Sequence, residues 1–242
     1  MRMDKKHFIA VTGEIRNHLG FLAETGCQGF DCSEKSLDIL RNWGKDASQV
    51  QNRQQTSSPD MLEIIRRLIS NCRRCKLSAG RMNIVFGAGN PGARLVFVGD
   101  APGYEEDQSG EPFVGEAGQL LTKIIENGMK LTRNQVYVCN IVKCRPPGNR
   151  PPGPDEIIAC LPFLKRQIAA IKPAFICALG ESAAQAILIT REPISRLRGR
   201  FHNYEGIKVM PTFHPAHLVR HPEKKRETWE DIQKLMKELK NI

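Results

Sequence analysis

The 242-residue chain contains no apolar run that approaches the length of a membrane-spanning helix. Its N-terminal stretch, MRMDKKHFIAVTGEIRNHLGF, is interrupted by charged residues and lacks the apolar centre of a secretory signal. We therefore expect a protein without a membrane partner that is cytoplasmic, and nucleoid-associated if its source is bacterial. In that compartment thiols stay reduced, so a group of cysteines indicates a metal site or catalysis more often than disulfide bonds.

Several motifs of nucleotide and base chemistry are also missing. The chain has no G-x-x-x-x-G-K-[ST] sequence, which excludes a P-loop. The single GAGNPG at 87–92 is too weak a pattern to indicate a dinucleotide site. The pairing of H-x-E with P-C-x-x-C is absent, which argues against a zinc deaminase.

Cysteine, by contrast, is well represented, and four of the eight have the spacing of a ligand set: Cys72, Cys75, Cys144 and Cys160. The first two form a C-x2-C hook, and the Pro- and Gly-rich segment RPPGNRPPGP separates the other two. Four thiolates suit a structural zinc ion or an iron–sulfur cluster. The wide spacing of the second pair favours the larger cluster, with zinc as the alternative. Cys139 and Cys177 lie in apolar runs and are interpreted as core residues, and Cys27 and Cys32 as a less favoured second site.

Charge indicates the kind of partner. The net charge is +10, and most of it lies in residues 59–242, where RRCK, KCRPPGNR and SRLRGR concentrate it locally. A positive domain attracts phosphate backbones, which favours nucleic acid as a partner. Charge alone does not distinguish this from a generally basic surface.

Apolar periodicity predicts alternating strands and helices in the second part of the chain. Strands are predicted at 94–100, 136–142, 174–180 and 208–213, and helices at 61–70, 117–128, 155–171, 181–189 and about 225–240. This alternation predicts an α/β fold with a parallel sheet covered on both faces. Because such sheets bind ligands at the carboxyl ends of their strands, we expect the site in the loops after residues 99, 139, 179 and 213.

The chain divides into three predicted segments. Residues 1–43 carry two amphipathic stretches and are predicted to form a small helical appendage. Residues 44–58 are polar and lack the apolar content to fold, so they are predicted to be a linker. Residues 59–242 are predicted to form the main domain.

Five motifs in order carry a resemblance to a known family. They are C-x2-C at 72–75, GDAPGYEEDQSGEPFVG at 99–115, the strand-end Asn of CNIVKCRPP, the spacing of Cys144 and Cys160, and HPAHLVRHP at 214–222. Over about residues 62–240 the chain resembles the family 4 uracil-DNA glycosylases. The resemblance implies a three-layer αβα fold with a mostly parallel central sheet and a [4Fe–4S] cluster on the four cysteines. It also implies hydrolytic removal of uracil from single- or double-stranded DNA in base excision repair, and we expect a monomer.

The resemblance assigns roles to residues that contact the base. An enzyme that acts on a base flips it out of the duplex into a pocket. The Asn140 amide would donate to uracil O4 and accept from N3–H, and Phe113 would stack on the ring. Glu106 would lie near C5 and exclude the methyl group of thymine. The backbone at Ala101 and Gly103 would approach the uracil closely.

The remaining roles concern bond cleavage and DNA. His214 would donate to O2 of the departing uracil anion, and Leu218 would enter the base stack as a wedge. Asp100 stands where the family commonly has Glu, so positioning of water, stabilisation of the cation and ordering of the loop stay open as its roles. No histidine lies between Cys144 and Cys160, which predicts turnover and not a covalent trap. The rival hypotheses are a cluster-stabilised binding module without catalysis and a glycosylase for another deaminated base.

Overall fold

The computed structural model of the chain describes residues 57–241. Its helices are α1 Ser58–Ile69, α2 Tyr104–Ser109, α3 Glu116–Lys123, α4 Pro154–Ile171, α5 Glu181–Leu188, α6 Ile194–Leu197, α7 Pro215–Arg220 and α8 Lys225–Lys240. Its strands are β1 Ala88–Gly89, β2 Leu95–Gly99, β3 Tyr137–Asn140, β4 Phe175–Leu179, β5 His202–Tyr204 and β6 Ile207–Thr212. The predicted appendage at 1–43, and all of the predicted linker except Ser57 and Ser58, lie outside the described residues.

The strands form one mixed sheet in the order β1-β3-β2-β4-β6-β5. The four middle strands are parallel, and both edge strands run antiparallel to their neighbours. The predicted α/β fold with a mostly parallel central sheet is therefore confirmed. The strands β2 and β4 are buried along their whole length, which is why each reads as a continuous apolar run in the sequence.

Side chains that alternate along the strands build a separate core on each face of the sheet. Val96 and Val98 of β2 point to one core, to which α1 and α4 contribute apolar residues. Leu95 and Phe97 point to the other core, which is covered by α3 and α8. Because successive strand residues face opposite sides, one strand supplies both layers, and the result is the three-layer αβα arrangement.

The order of the strands decides where a ligand fits. The strand β2 lies between β3 and β4, so the chain leaves β2 toward one edge of the sheet and later returns to its other side. The carboxyl ends of these strands flank a topological switch point, which is where open α/β sheets bind ligands. Three predicted site residues lie at the carboxyl ends of the parallel strands: Asp100 follows β2, Asn140 ends β3 and His214 follows β6.

Of the helices among residues 57–241, none combines the length and the apolar content that crossing a bilayer requires. The cysteines of this part of the chain are all free thiols. Both observations concern the described residues and say nothing about residues 1–56.

Candidate active site

A cavity of about 550 Å³ opens at the carboxyl ends of the parallel strands. It is lined by most of the residues that the sequence indicated: Asp100, Ala101, Gly103, Glu106, Phe113, Asn140 and His214. Several residues that were not predicted for the base pocket also line it, among them Asn149, Arg150 and Pro151 from the loop between β3 and α4. The cavity is large enough for a nucleobase with part of its sugar.

Asn140 forms the deep end of this cavity. Its side chain is 1% exposed, and both Oδ1 and Nδ2 are buried without a hydrogen-bond partner among the described residues. A buried amide that lacks partners costs about 1–3 kcal/mol per group, so it persists where a ligand completes it. The neighbouring strand contributes Gly99, at which a Cβ would lie 2.6 Å from Asn140 Oδ1 and 2.5 Å from the Phe113 ring. The absence of a side chain at residue 99 therefore makes room for the amide and the ring.

Glu106 organises the loop that presents Phe113. Its Oε2 accepts a hydrogen bond from Gly103 N–H at 2.9 Å, and its Oε1 accepts from Val114 N–H at 2.9 Å and from Gly115 N–H at 3.0 Å. Both carboxylate oxygens are thus bound to backbone, and the residue is 8% exposed. The contacts that the structure gives Glu106 hold the loop, whereas its expected contact with C5 of uracil stays a prediction.

Phe113 is held in an unusual backbone conformation. Its φ is 56°, in the left-handed region that residues other than glycine seldom adopt. The close approach of Gly118 supports this conformation, because a Cβ there would collide with the Phe113 carbonyl group. The ring of Phe113 is buried and lies 5.6 Å from the ring of His214, centroid to centroid. The two rings form adjoining walls of the cavity.

Asp100 joins the cavity to the start of helix α5. Ala183 N–H donates to Asp100 Oδ1 at 2.8 Å, and this bond satisfies one free amide of the helix N-terminus. Burial raises the pKa of the Asp100 carboxyl to about 6, and hydrogen bonds from Ala183 and Ser182 oppose the shift. An acidic group with this pKa changes its charge close to neutral pH, as general bases and water-positioning groups do.

His214 caps helix α7 and lines the cavity. Ala216 N–H donates to Nδ1 at 3.1 Å, so the neutral ring carries its proton on Nε2. Nε2 is buried and lacks a partner among residues 57–241. Burial, with smaller contributions from the neighbouring Arg220 and His217, lowers the pKa of His214 to about 4. At neutral pH the residue is therefore a neutral donor in the wall of the cavity.

Leu218, the predicted wedge, is buried in this structure. Its side chain is 1% exposed and helps to line a second, apolar cavity with Leu120 and Trp229. Helix α7 packs against α3 and so holds this residue inside. On the same helix, Arg220 is the exposed residue and His217 is partly exposed. Entry of Leu218 into a base stack stays a prediction that requires movement of α7.

The four cysteines come together in a cavity that shares no lining residue with the larger cavity. Cys72, Cys75, Cys144 and Cys160 line a common cavity between α1, the start of α4 and the loop after β3. Arg81 Nη1 donates to Cys144 Sγ at 3.3 Å, a contact that the spacing of the cysteines in the sequence did not predict. Burial raises the pKa of the Cys144 thiol, and it raises the pKa of Cys160 to about 11. Within residues 57–241, no three His, Cys, Asp or Glu side chains are arranged around a point where a single metal ion would sit.

An ion-pair network connects the cysteine region with the wall of the larger cavity. Glu156 is completely buried and accepts from Arg150 Nη1 at 2.8 Å and from Gly153 N–H at 2.6 Å. The hydrogen bond from Arg150 is the main cause that lowers the pKa of Glu156 to about 2. Lys76, next to Cys75, lies 3.0 Å from Asp155 and 3.7 Å from Glu156. The loop that lines the cavity is thereby anchored to the hook that carries Cys75.

Comparison with protein families identifies a match over most of the described part of the chain. A family model described as the uracil DNA glycosylase superfamily matches residues 86–235. This range contains the three strand-end residues Asp100, Asn140 and His214 and two of the four cysteines.

Individual proteins are similar over a longer stretch. A type-4 uracil-DNA glycosylase of Thermotoga maritima is 45% identical over 180 residues, which cover 72% of this chain and 93% of that protein. A type-4 uracil-DNA glycosylase of Saccharolobus solfataricus is 42% identical over 188 residues, 74% of this chain and 87% of that protein. One from Archaeoglobus fulgidus is 42% identical over 184 residues, 73% of this chain and 92% of that protein.

Proposed function

The chain belongs to the type-4 uracil-DNA glycosylases of the uracil DNA glycosylase superfamily, and from this premise we propose that it hydrolyses the N-glycosidic bond of deoxyuridine in DNA. The uracil would be flipped into the cavity at the strand ends, and the product would be an abasic site for base excision repair. The observation that carries the proposal is the buried amide of Asn140 in that cavity, which has no hydrogen-bond partner among residues 57–241.

Selection of uracil follows from the hydrogen-bonding groups of Asn140. Its Nδ2 donates to O4, and its Oδ1 accepts from N3–H. Cytosine carries an amino group and an unprotonated ring nitrogen at these positions, so both amide groups would stay unpaired at about 1–3 kcal/mol each. The ring of Phe113, held by its loop beside the amide, provides the surface on which the base stacks.

Cleavage leaves an oxocarbenium-like sugar and a uracil anion, and both charges develop only as the bond breaks. The Nε2–H of His214 donates to O2, where the negative charge of the anion accumulates. Because the pKa of the ring is low, the ring is neutral and stabilises the anion as a fixed dipole without transferring its proton. A donor that bonds more strongly in the transition state than in the ground state raises kcat.

Asp100 concerns the opposite charge, the positive charge that develops on the sugar. Its ionised carboxylate faces the same cavity and is held by the first turn of α5, so its position is fixed before the substrate arrives. We infer that it stabilises the cationic sugar and orients the attacking water. Its pKa of about 6 keeps it mostly ionised at neutral pH.

This assignment makes a prediction about pH. Because the pKa of Asp100 is raised to about 6, the fraction of ionised carboxylate falls as the pH drops below that value. We expect kcat/KM for uracil release to decline about tenfold per pH unit below 6. The profile is to be recorded under single-turnover conditions for the parent, for Asp100→Asn and for Asp60→Asn, an exposed control. An acid limb that persists unchanged in Asp100→Asn would assign it to another group, such as a histidine.

We propose further that Cys72, Cys75, Cys144 and Cys160 hold a [4Fe–4S] cluster, with zinc as the alternative. The four thiols line one cavity, and four cysteine thiolates are a ligand set for such a cluster. When bound, such a cluster ties α1, the loop after β3 and α4 together. The basic residues around it, Arg73, Arg74 and Arg145, would then contact DNA phosphates.

Loss of one ligand tests the centre. We expect Cys144→Ala, purified without oxygen, to lose its iron and most of its thermal stability, because metal binding by cysteines is coupled to folding. Cys177→Ala is the matched control, since Cys177 is also buried but lies in β4 and packs in the opposite core. Iron, zinc and inorganic sulfide are to be quantified in both variants. A Cys144→Ala protein with parental iron content and melting temperature would disprove the assignment.

The reaction itself is tested on a single-stranded oligonucleotide with one uracil, read as alkali-labile cleavage, beside the same sequence with thymine. We expect cleavage at uracil and none at thymine, and a duplex substrate run in parallel reports the strand preference. DNA binding without cleavage, by protein that retains its iron, would favour the alternative of a cluster-stabilised binding module. Cleavage at hypoxanthine or xanthine in place of uracil would indicate a glycosylase for another deaminated base.

A further inference from the structure

Lys143 is a completely buried lysine three residues after Asn140. Its side chain is 0% exposed, and Nζ donates a hydrogen bond to the backbone carbonyl of Asn140 at 2.8 Å. Its own backbone is fixed as well, since Val85 N–H donates to its carbonyl at 2.8 Å. This role was not apparent from the sequence, because a lysine in a basic loop normally indicates an exposed side chain.

The charge of this residue needs compensation. In the described part of the chain, residues 57–241, no salt bridge includes Lys143, and a buried ammonium group without an anion is costly. The compensation that the structure shows is the hydrogen bond from Nζ to the Asn140 carbonyl oxygen. Lys143 also directly precedes Cys144, so one short segment carries both the buried ammonium group and a cysteine of the four-cysteine centre.

The hydrogen bond reaches Asn140 at the last residue of β3, where Gly99 of β2 is its partner in the sheet. The chain beyond it is paired by Ile141 N–H to the Gly99 carbonyl at 2.9 Å. Within residues 57–241, the bond from Lys143 is the one side-chain hydrogen bond that Asn140 receives, because its own amide atoms have no partner. The direction of the amide therefore depends on its backbone, and Lys143 adds a buried side-chain contact to the sheet pairing that holds this backbone.

We propose that Lys143 is a positioning residue that couples the four-cysteine centre to the amide that reads uracil. Its backbone adjoins Cys144 of the centre, and its ammonium group holds the Asn140 carbonyl so that Nδ2 and Oδ1 face O4 and N3–H. This inference rests on the proposed function, in which Asn140 selects uracil. Any loss of the centre then weakens base recognition as well as stability.

The test compares Lys143→Met with Lys143→Gln in cluster-loaded protein. Methionine fills a similar volume but donates no hydrogen bond, whereas glutamine keeps a neutral donor. Lys165→Met removes an exposed lysine from α4 and controls for the change in net charge. For each protein, iron content, melting temperature, DNA affinity and the inhibition constant of free uracil are measured. We expect Lys143→Met to bind free uracil about tenfold more weakly, with Lys143→Gln closer to the parent and Lys165→Met unchanged.

Free uracil is the decisive probe, because a purely structural role would lower the melting temperature without changing uracil affinity per folded, iron-containing molecule. The proposal is overturned if uracil inhibits folded Lys143→Met as it inhibits the parent, or if Lys143→Gln loses as much affinity as Lys143→Met. Should Lys143→Met not fold, Lys143→Leu replaces it, because leucine also lacks a donor: a tenfold weaker uracil affinity than that of Lys165→Met supports the proposal, and an equal affinity overturns it. If the parent protein releases no uracil from DNA, the proposed function is rejected instead. This result differs from each result that would overturn the role proposed for Lys143.

Discussion

Asn140→Asp is expected to reduce uracil release by about 10²-fold or more and to create measurable release of cytosine. An ionised carboxylate in place of the amide would face O4 with an acceptor, so uracil loses one bond and meets repulsion. In this buried position the carboxyl pKa is raised, and a protonated carboxyl donates to N3 of cytosine while it accepts from the N4 amino group. The measurement is single-turnover release of each base from otherwise identical oligonucleotides.

The control for this exchange is Asn90→Asp, which makes the same chemical change at an exposed loop residue. It should leave both rates at the parental level. Equal losses on uracil and on cytosine in Asn140→Asp would indicate a damaged fold, which the melting temperature then checks. Unchanged selectivity in a folded Asn140→Asp protein would contradict the assignment of Asn140 as the group that reads the base.

His214→Asn is expected to lower kcat by about 10²–10³-fold with little change in KM or melting temperature. Asparagine retains an oxygen that accepts from Ala216 N–H and so preserves the cap of α7, but its side chain lacks the Nε2–H that reaches into the cavity. His214→Ala removes both functions and should lose about 1 kcal/mol of stability in addition. The comparison of the two variants separates the cap from the catalytic donor.

The neutral state of His214 is open to direct measurement. With its pKa lowered to about 4, the ring should stay neutral across the range in which an exposed histidine titrates, and its nitrogen NMR shifts should report a proton on Nε2 at pH 7. His221, which is exposed just beyond α7, is the control: His221→Asn should change affinity for DNA and leave kcat near the parental value. An imidazolium signal for residue 214 at pH 7 would contradict the proposed mechanism.

The long elements were predictable because each depends on a local pattern. The strands at 95–99 and 175–179 read as apolar runs since they are buried on both faces, and α4 reads as a helix since its apolar residues recur with helical spacing. Once the strands were predicted, their carboxyl ends indicated which loops form the site. What the pattern could not reveal were the edge strands β1 and β5, because two or three residues carry no periodicity.

The side-chain environments were not predictable to the same extent. Glu106 was expected near C5 of uracil, and the sequence did not reveal that three backbone N–H groups brought close by the turn engage its carboxylate. Nor did it reveal that the turn at His214 starts a helix whose apolar side packs Leu218 inward. Both contacts depend on tertiary packing between segments that no spacing rule connects. The sequence indicated most of the residues that line the cavity, while their hydrogen bonds and burial were not predictable.

The absence of a side chain at Gly99 has a consequence for inherited variation. A single methyl group there would collide with both Phe113 and Asn140, although it would lie on a strand whose neighbours are all buried aliphatic or aromatic residues. A missense change from Gly99 to alanine is chemically small. It would nevertheless place a methyl group in the space that the Phe113 ring and the Asn140 amide occupy. We expect a lineage that depends on this protein and carries the change to accumulate C-to-T transitions where cytosine deaminates.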